Sequence, residues 1–265
     1  MVYLEKFITE LERLWPLNTG DDWDRPGLSV GSLKQEINKV LLSVDVTRAV
    51  VQEAIETGAN LIISHHPLLL RGVNEVSEQS LKGEIVSLAI KNDVAIYSAH
   101  TNADKAEVGT ATALAVLYGV KNTTVLDPET RHGLVGELET EQTLVEFATR
   151  IAKLLPPVAA GIKVAGDPEQ RIKTVALSPG AGDSFLGKAM ARGVDVFITS
   201  DLRHHPSQDF VETPGGARAL IDVSHWASEF ALLPKAKEAI LKLFPALEIE
   251  ISDVRTDPWN FAVMQ

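Results

Sequence analysis

The 265-residue sequence predicts an α/β fold of two similar units from internal duplication, with sheets flanked by helices and a metal site at the interface of the units. Three observations support this. Segments of the first half recur in the second in the same order. Amphipathic stretches alternate with short apolar runs, as in α/β proteins, and histidines and carboxylates gather where those runs end.

The first match sets FITELERLWP (7–16) against FATRIAKLLP (147–156), with Phe7, Leu11 and Leu14 facing Phe147, Ile151 and Leu154 at helical period and a proline closing each. Next, GLSVGSLKQEINKVLLS (27–43) resembles GIKVAGDPEQRIKTVALS (161–178), each two β-rich runs around a polar turn, as in a hairpin or two successive strands. AVVQEAIETGANLIIS (49–64) meets SFLGKAMARGVDVFIT (184–199): a helix, a glycine C-cap at Gly58 or Gly193, then an apolar strand. Finally, VAIYSAHTNAD (94–104) aligns with ALIDVSHWASE (219–229). The join is expected at 122–140, which loses helical periodicity and gathers turn residues, so that residues 1–125 form one unit and 126–265 the other. LLPKAKEAILKLF (232–244) reads as an amphipathic packing helix.

Composition narrows the chemistry. Hydrophobic residues make up 45%, enough for a real core. No apolar stretch reaches the roughly 18 to 20 residues that cross a bilayer, and the opening MVYLEKFITELERLW mixes both charges, so the expected compartment is the cytoplasm. The absence of cysteine removes thiolate sites and disulfides, leaving nitrogen and oxygen to hold any metal. A net charge of −11 disfavours nucleic-acid binding, although a bound divalent ion would let a small phosphorylated substrate enter an acidic cleft.

In each copy a strand ends in Ser-x-His with a carboxylate four residues on: His100 with Asp104, and His225 with Glu229. Residues i and i+4 share a helix face, so each pair can offer one nitrogen and one oxygen to the same point. Other strand ends carry His65 and His66 in the first copy and Ser200, Asp201, His204 and His205 in the second. Ligands of open α/β sheets bind beyond such carboxyl ends. Adjacent strand residues face opposite ways, so Pro67 is expected to interrupt pairing and let both imidazoles turn to one cleft. One histidine at a strand end is usually a structural residue, but six donors at repeat-related positions favour a metal site. The donors suit Zn²⁺, Fe²⁺, Mn²⁺, Co²⁺ or Ni²⁺, and they exceed what one tetrahedral ion with an open position requires. Two ions fit better, with a shared water of lowered pKa as nucleophile. PGAGD (179–183), with Gly180 and Gly182, could cradle a phosphate, whereas its counterpart Asp45-Val46-Thr47 reads as a helix cap. Trp23 and Asp24 lie in a loop that could line the cleft, packing being the commoner role of such a tryptophan.

At these residues the chain resembles the NIF-three-like family, often labelled type-two GTP cyclohydrolase I. DWDRPGLSVG is similar to its Trp-Asp-x-x-Gly-Leu element and LIISHHPLLL to its His-His-Pro segment. YSAHTNAD resembles its Ser-x-His-Thr-x-x-Asp segment, and DVSHWASE its Gly/Ser-His-x-x-x-Glu. The resemblance spans nearly the whole chain. It implies a dinuclear site with His65, His66, Asp104, His225 and Glu229 as ligands of two divalent ions, and His100 as ligand or close neighbour. TSDLRHH resembles a Thr-Gly-Asp-x-x-x-His form, which implies supporting or proton-transfer roles for Asp201 and His204. Arg25 and Pro26 stand where many members have Asn and Val. The family further implies a ring-shaped homohexamer and a metal-dependent hydrolase acting on a small molecule, GTP if the label holds. A metal carrier or insertion protein without turnover, and an oligomeric interaction scaffold, are the alternatives.

Overall fold

A computed structural model describes residues 2–215 and 218–263. The chain begins with β1 (Val2–Tyr3), α1 (Leu4–Leu14), β2 (Gly27–Val30), β3 (Glu36–Ile37) and β4 (Lys39–Ser43). There follow α2 (Arg48–Thr57), β5 (Leu61–Ser64), α3 (Leu81–Lys91), β6 (Ala95–Ser98) and α4 (Thr101–Asp104). The middle holds α5 (Thr110–Tyr118), β7 (Val120–Asp127), β8 (His132–Thr143), α6 (Leu144–Leu154), β9 (Lys163–Ala165) and β10 (Arg171–Ala181). After these come α7 (Leu186–Ala191), β11 (Val196–Ser200), α8 (His204–Glu212), β12 (Ala219–Val223) and α9 (His225–Phe230), before α10 (Leu232–Leu243) and β13 (Glu248–Ile251).

Local chemistry sets these limits. Helix α1 buries Leu4, Phe7 and Leu11 on one stripe and stops at Trp15, before Pro16. Helix α6 buries the matching stripe of Leu144, Phe147 and Ile151 and starts with a capping box between Thr143 and Glu146. Thr47 caps α2 by accepting from the Val50 N–H, and Gly58 ends it in the left-handed conformation at φ 74°. Each fully buried Leu or Phe of these stripes contributes roughly 1.5–3 kcal/mol.

Two compact units divide the chain: residues 2–109 with 233–256, and residues 110–232 with 257–263. The first holds a five-stranded sheet in the order β13-β4-β5-β6-β2, parallel except for β2, which runs antiparallel to β6. On one face Leu41, Ile62 and Ile96 pack with Val50, Val51 and Ala54 of α2 and with Ile85 and Ala89 of α3. Every residue of β5 and β6 is buried, as expected of parallel strands covered on both faces. The second unit holds a six-stranded sheet, β7-β8-β10-β11-β12-β9, whose parallel part β10-β11-β12 is bordered by antiparallel neighbours. There Ala176, Phe197 and Leu220 pack with Leu186 and Ala189 of α7 and with Phe210 of α8.

The matched segments occupy equivalent places in the two connectivities: α1 and α6, β2 to β4 and β9 to β10, α2–β5 and α7–β11, β6–α4 and β12–α9. Each sheet adds its early strand, β2 or β9, antiparallel to the last parallel one, β6 or β12. The paired β runs of the second match are thus successive strands separated within the sheet, not hairpins.

The segment at 122–140 is regular structure. It forms most of β7 and β8, which pair antiparallel with each other, and turn residues are confined to the connection around Arg131, at φ 64°. Helical periodicity disappears there because the segment is extended: along β8 buried Gly136 and Leu138 alternate with exposed Glu137 and Glu139. The compact units divide at 109/110, and residues 233–256 belong with the first, where β13 pairs in parallel with β4. Among the described residues no helix is long and apolar enough to cross a membrane.

Candidate metal centre

In the first unit β5 and β6 end in serines whose hydroxyl oxygens lie 2.9 Å apart. Ser64 Oγ donates to the His66 carbonyl at 2.8 Å, folding the chain back on itself. The His65 and His66 amides donate to Ser43 O at 3.0 Å and Val44 O at 2.8 Å. Successive amides bonded to one neighbour are incompatible with a regular strand, whose alternate residues face opposite ways. The backbone thus leaves strand geometry at His65, ahead of Pro67, and both imidazoles gather with His100: ring centroids are 5.2 Å apart for His65–His66, 5.2 Å for His65–His100 and 5.4 Å for His66–His100.

Each ring is oriented through Nδ1. His65 Nδ1 bonds Ala99 O at 2.8 Å, His66 Nδ1 bonds Asp45 Oδ1 at 2.7 Å, and His100 Nδ1 bonds Asp24 Oδ1 at 2.7 Å. An acceptor partner draws the ring proton to Nδ1, which leaves Nε2 as the nitrogen each ring can offer to an ion. One ligand atom from each of the three lies within 4.8 Å of the others. Asp104 Oδ1 stands 3.5 Å from His65 Nε2. The first-unit carboxylate thus meets His65, while its own backbone N–H bonds the His100 carbonyl at 2.9 Å.

Asp24 is buried and accepts from His100, from Thr101 N–H at 3.0 Å and from Thr101 Oγ1 at 2.5 Å. Burial opposes its charge, but these hydrogen bonds and the His100 imidazole prevail and hold the carboxyl well below the usual range. Asp24 is therefore a support for His100. Beside it, Trp23 is 58% exposed and sits edge-on to His100, with centroids 5.9 Å apart. Arg25 turns its guanidinium onto its own loop, donating to Asp22 O at 3.1 Å and Asp24 O at 2.5 Å.

In the second unit Ser224 caps α9, accepting from the Ala227 N–H at 3.3 Å, and His225 is the first helical residue. One turn on, buried Glu229 places Oε1 3.0 Å from His225 Nε2, the nitrogen–oxygen pair expected from the i, i+4 spacing. His225 Nδ1 bonds Asp201 Oδ2 at 2.7 Å, and that contact, outweighing desolvation, lowers the Asp201 carboxyl. Asp201 follows β11 at φ 57°. Gly180 approaches the same donors: at φ 60°, a Cβ there would lie 2.7 Å from Glu229 Oε1 and 3.2 Å from His225 Nε2. A Cβ on Gly182 would run into Thr199. Pro179, Gly180 and Ala181 belong to β10, so the glycines of PGAGD serve close approach to donors and to Thr199. His204 opens α8 as an exposed residue with its ring against His205, 5.1 Å between centroids.

Asp45 escaped sequence reading. It looked like part of a helix cap, but Thr47 performs the capping and Asp45 holds His66. Its signal is position, an aspartate two residues past the end of β4, at the same sheet edge as the histidines.

Residues 2–258 match the family model described as Duf34/NIF3 (NGG1p interacting factor 3). The chain belongs to the Duf34/NIF3 family. A Streptomyces coelicolor protein named GTP cyclohydrolase 1 type 2 homolog is 42% identical over 272 residues, which cover 98% of this chain and 94% of that protein. The crystal structure of a Bacillus cereus protein related to NIF3 has the same fold, with a TM-score of 0.89 at 22% identity over 98% of this chain and 99% of that one. A hypothetical protein from Staphylococcus aureus gives 0.88 at 28% identity, again over 98% and 99%. In this Duf34/NIF3 member the residues fit a divalent metal: imidazoles present Nε2 with Nδ1 held by oxygen, the arrangement by which carboxylates and carbonyls orient metal-binding histidines.

Proposed function

We propose that this protein binds two divalent metal ions and uses them in a hydrolytic reaction on a small molecule carrying a planar ring, of the cyclohydrolase kind named for its S. coelicolor relative. The observation that carries this reading is the shared Nδ1 restraint of His65, His66, His100 and His225, since four rings with one tautomer serve metal binding better than structural hydrogen bonding. Such ions, when bound, act as Lewis acids and lower the pKa of coordinated water toward neutrality. His65, His66 and Asp104 in one unit, and His225 and Glu229 in the other, hold them. His100, with its Nδ1 on the Asp24 carboxylate, is the base that moves the proton. The exposed face of Trp23 beside it gives a planar ring a surface to stack on. The cytoplasm and the ring-shaped homohexamer implied by the resemblance complete this reading.

The test is metal analysis of the purified protein, then hydrolysis of GTP, phosphodiesters and small amides by wild type and His65→Ala. Metal-dependent turnover in the wild type that falls by about 100-fold in the variant supports the hydrolase. A metal-loaded wild type that turns over none of these, yet transfers its metal to an acceptor, overturns it in favour of a carrier.

A further inference from the structure

The segment after β13 reaches groups that stand behind the metal donors. After β13, the Ser252 amide donates to Leu42 O at 2.8 Å and the Asp253 amide to Glu53 Oε1 at 2.8 Å, which fixes the segment along its own unit. Two successive residues then reach groups that support the histidines. Thr256 Oγ1 donates to Asp45 Oδ2 at 2.5 Å, and the other oxygen of that carboxylate holds His66 Nδ1 at 2.7 Å. Asp257, which is buried, accepts from Ser224 Oγ at 2.5 Å, and Ser224 is the cap of the helix that begins with His225.

We propose that Thr256 and Asp257 are positioning residues for the metal donors, the first acting on His66 through Asp45, the second on His225 and Glu229 through Ser224. The inference rests on the metal reading above. A carboxylate pinned on one oxygen cannot swing its other oxygen away from an imidazole, so Thr256 fixes the azimuth of the His66 ring. A serine hydroxyl has one hydrogen. Donated to Asp257, it leaves the oxygen lone pairs aimed at the Ala227 N–H, which is the capping geometry. His225 is the first residue of a six-residue helix, so fraying of that turn displaces it directly. Asp257 is itself locked, its other oxygen accepting from the Trp259 amide at 2.9 Å.

The experiment adds Co²⁺ to the metal-stripped full-length chain and reads affinity by chelator competition and geometry by the visible ligand-field bands. Thr256→Val and Asp257→Ala should each weaken Co²⁺ binding by about tenfold and shift the bands. Thr256→Ser keeps the donor and Asp257→Asn keeps an acceptor, so both should return to wild-type spectra. Ser224→Ala should reproduce Asp257→Ala without touching the buried carboxylate. Far-UV circular dichroism of each apo-variant reports the fold separately. Unchanged affinity and bands in Thr256→Val, Asp257→Ala and Ser224→Ala overturn the inference while leaving the metal reading intact. A wild type that takes up no Co²⁺ overturns the metal reading and the inference together.

Discussion

Three aspartates and one backbone carbonyl decide which nitrogen each imidazole presents: Asp45, Asp24 and Asp201 for His66, His100 and His225, and Ala99 O for His65. A ring held this way loses little rotational freedom on binding an ion. Gly180 belongs to the same arrangement, because the backbone there occupies the space next to Glu229 and His225. Gly180→Ala should cost about 1 kcal/mol from the left-handed φ and lower metal affinity further by crowding the donors. Gly161, at the same φ of 60° with nothing within 4 Å of its added Cβ, separates the two effects. Thermal unfolding should show a similar loss for Gly161→Ala, whereas metal titration should single out Gly180→Ala. At this scale the histidines and paired carboxylates were legible because they close apolar runs. The partners were not: Asp24 and His100 are far apart in sequence, and no local pattern reports such a contact.

Among the elements, helices were the most legible, since an apolar stripe and a cap are both local. Helix α6 shows it, with Leu144, Phe147 and Ile151 buried and Thr143 and Glu146 bonded reciprocally at its start, Thr143 N–H to Glu146 Oε2 at 2.9 Å and Glu146 N–H to Thr143 Oγ1 at 3.3 Å. Thr143→Ala removes an acceptor the first turn depends on and should cost about 1 kcal/mol in urea unfolding, with Thr143→Ser close to wild type. A full-sized effect of Thr143→Ser would point to the lost methyl rather than the cap. Strands β7 and β8 were illegible for the opposite reason. Residues 121–124 of β7 and 139–141 of β8 are polar and exposed in unbroken runs, and on a string such runs carry no strand period and look like a join.

At the scale of the whole molecule, one pairing order recurs in both sheets, with three parallel strands in chain order and an early strand added antiparallel at one side. The matched strings of the two halves made that shared order legible. The return of residues 233–256 to the first unit was not, because which sheet edge a strand joins depends on what remains unpaired elsewhere, which no local period encodes. The return completes a core. β13 covers the edge of β4, and Phe244, at the end of α10, packs on Phe7 with centroids 4.8 Å apart and 9% of its surface exposed. The first unit therefore depends on both ends of the chain. Phe244→Ala should destabilise the protein by about 3 kcal/mol, from lost transfer energy and the cavity left against fully buried Phe7. Leu243→Ala, one residue earlier and 36% exposed, should cost under about 1 kcal/mol. Equal losses for the two in denaturant unfolding would mean that the C-terminal helix contributes by covering surface in general, and that the pairing of the two phenylalanines has no special weight.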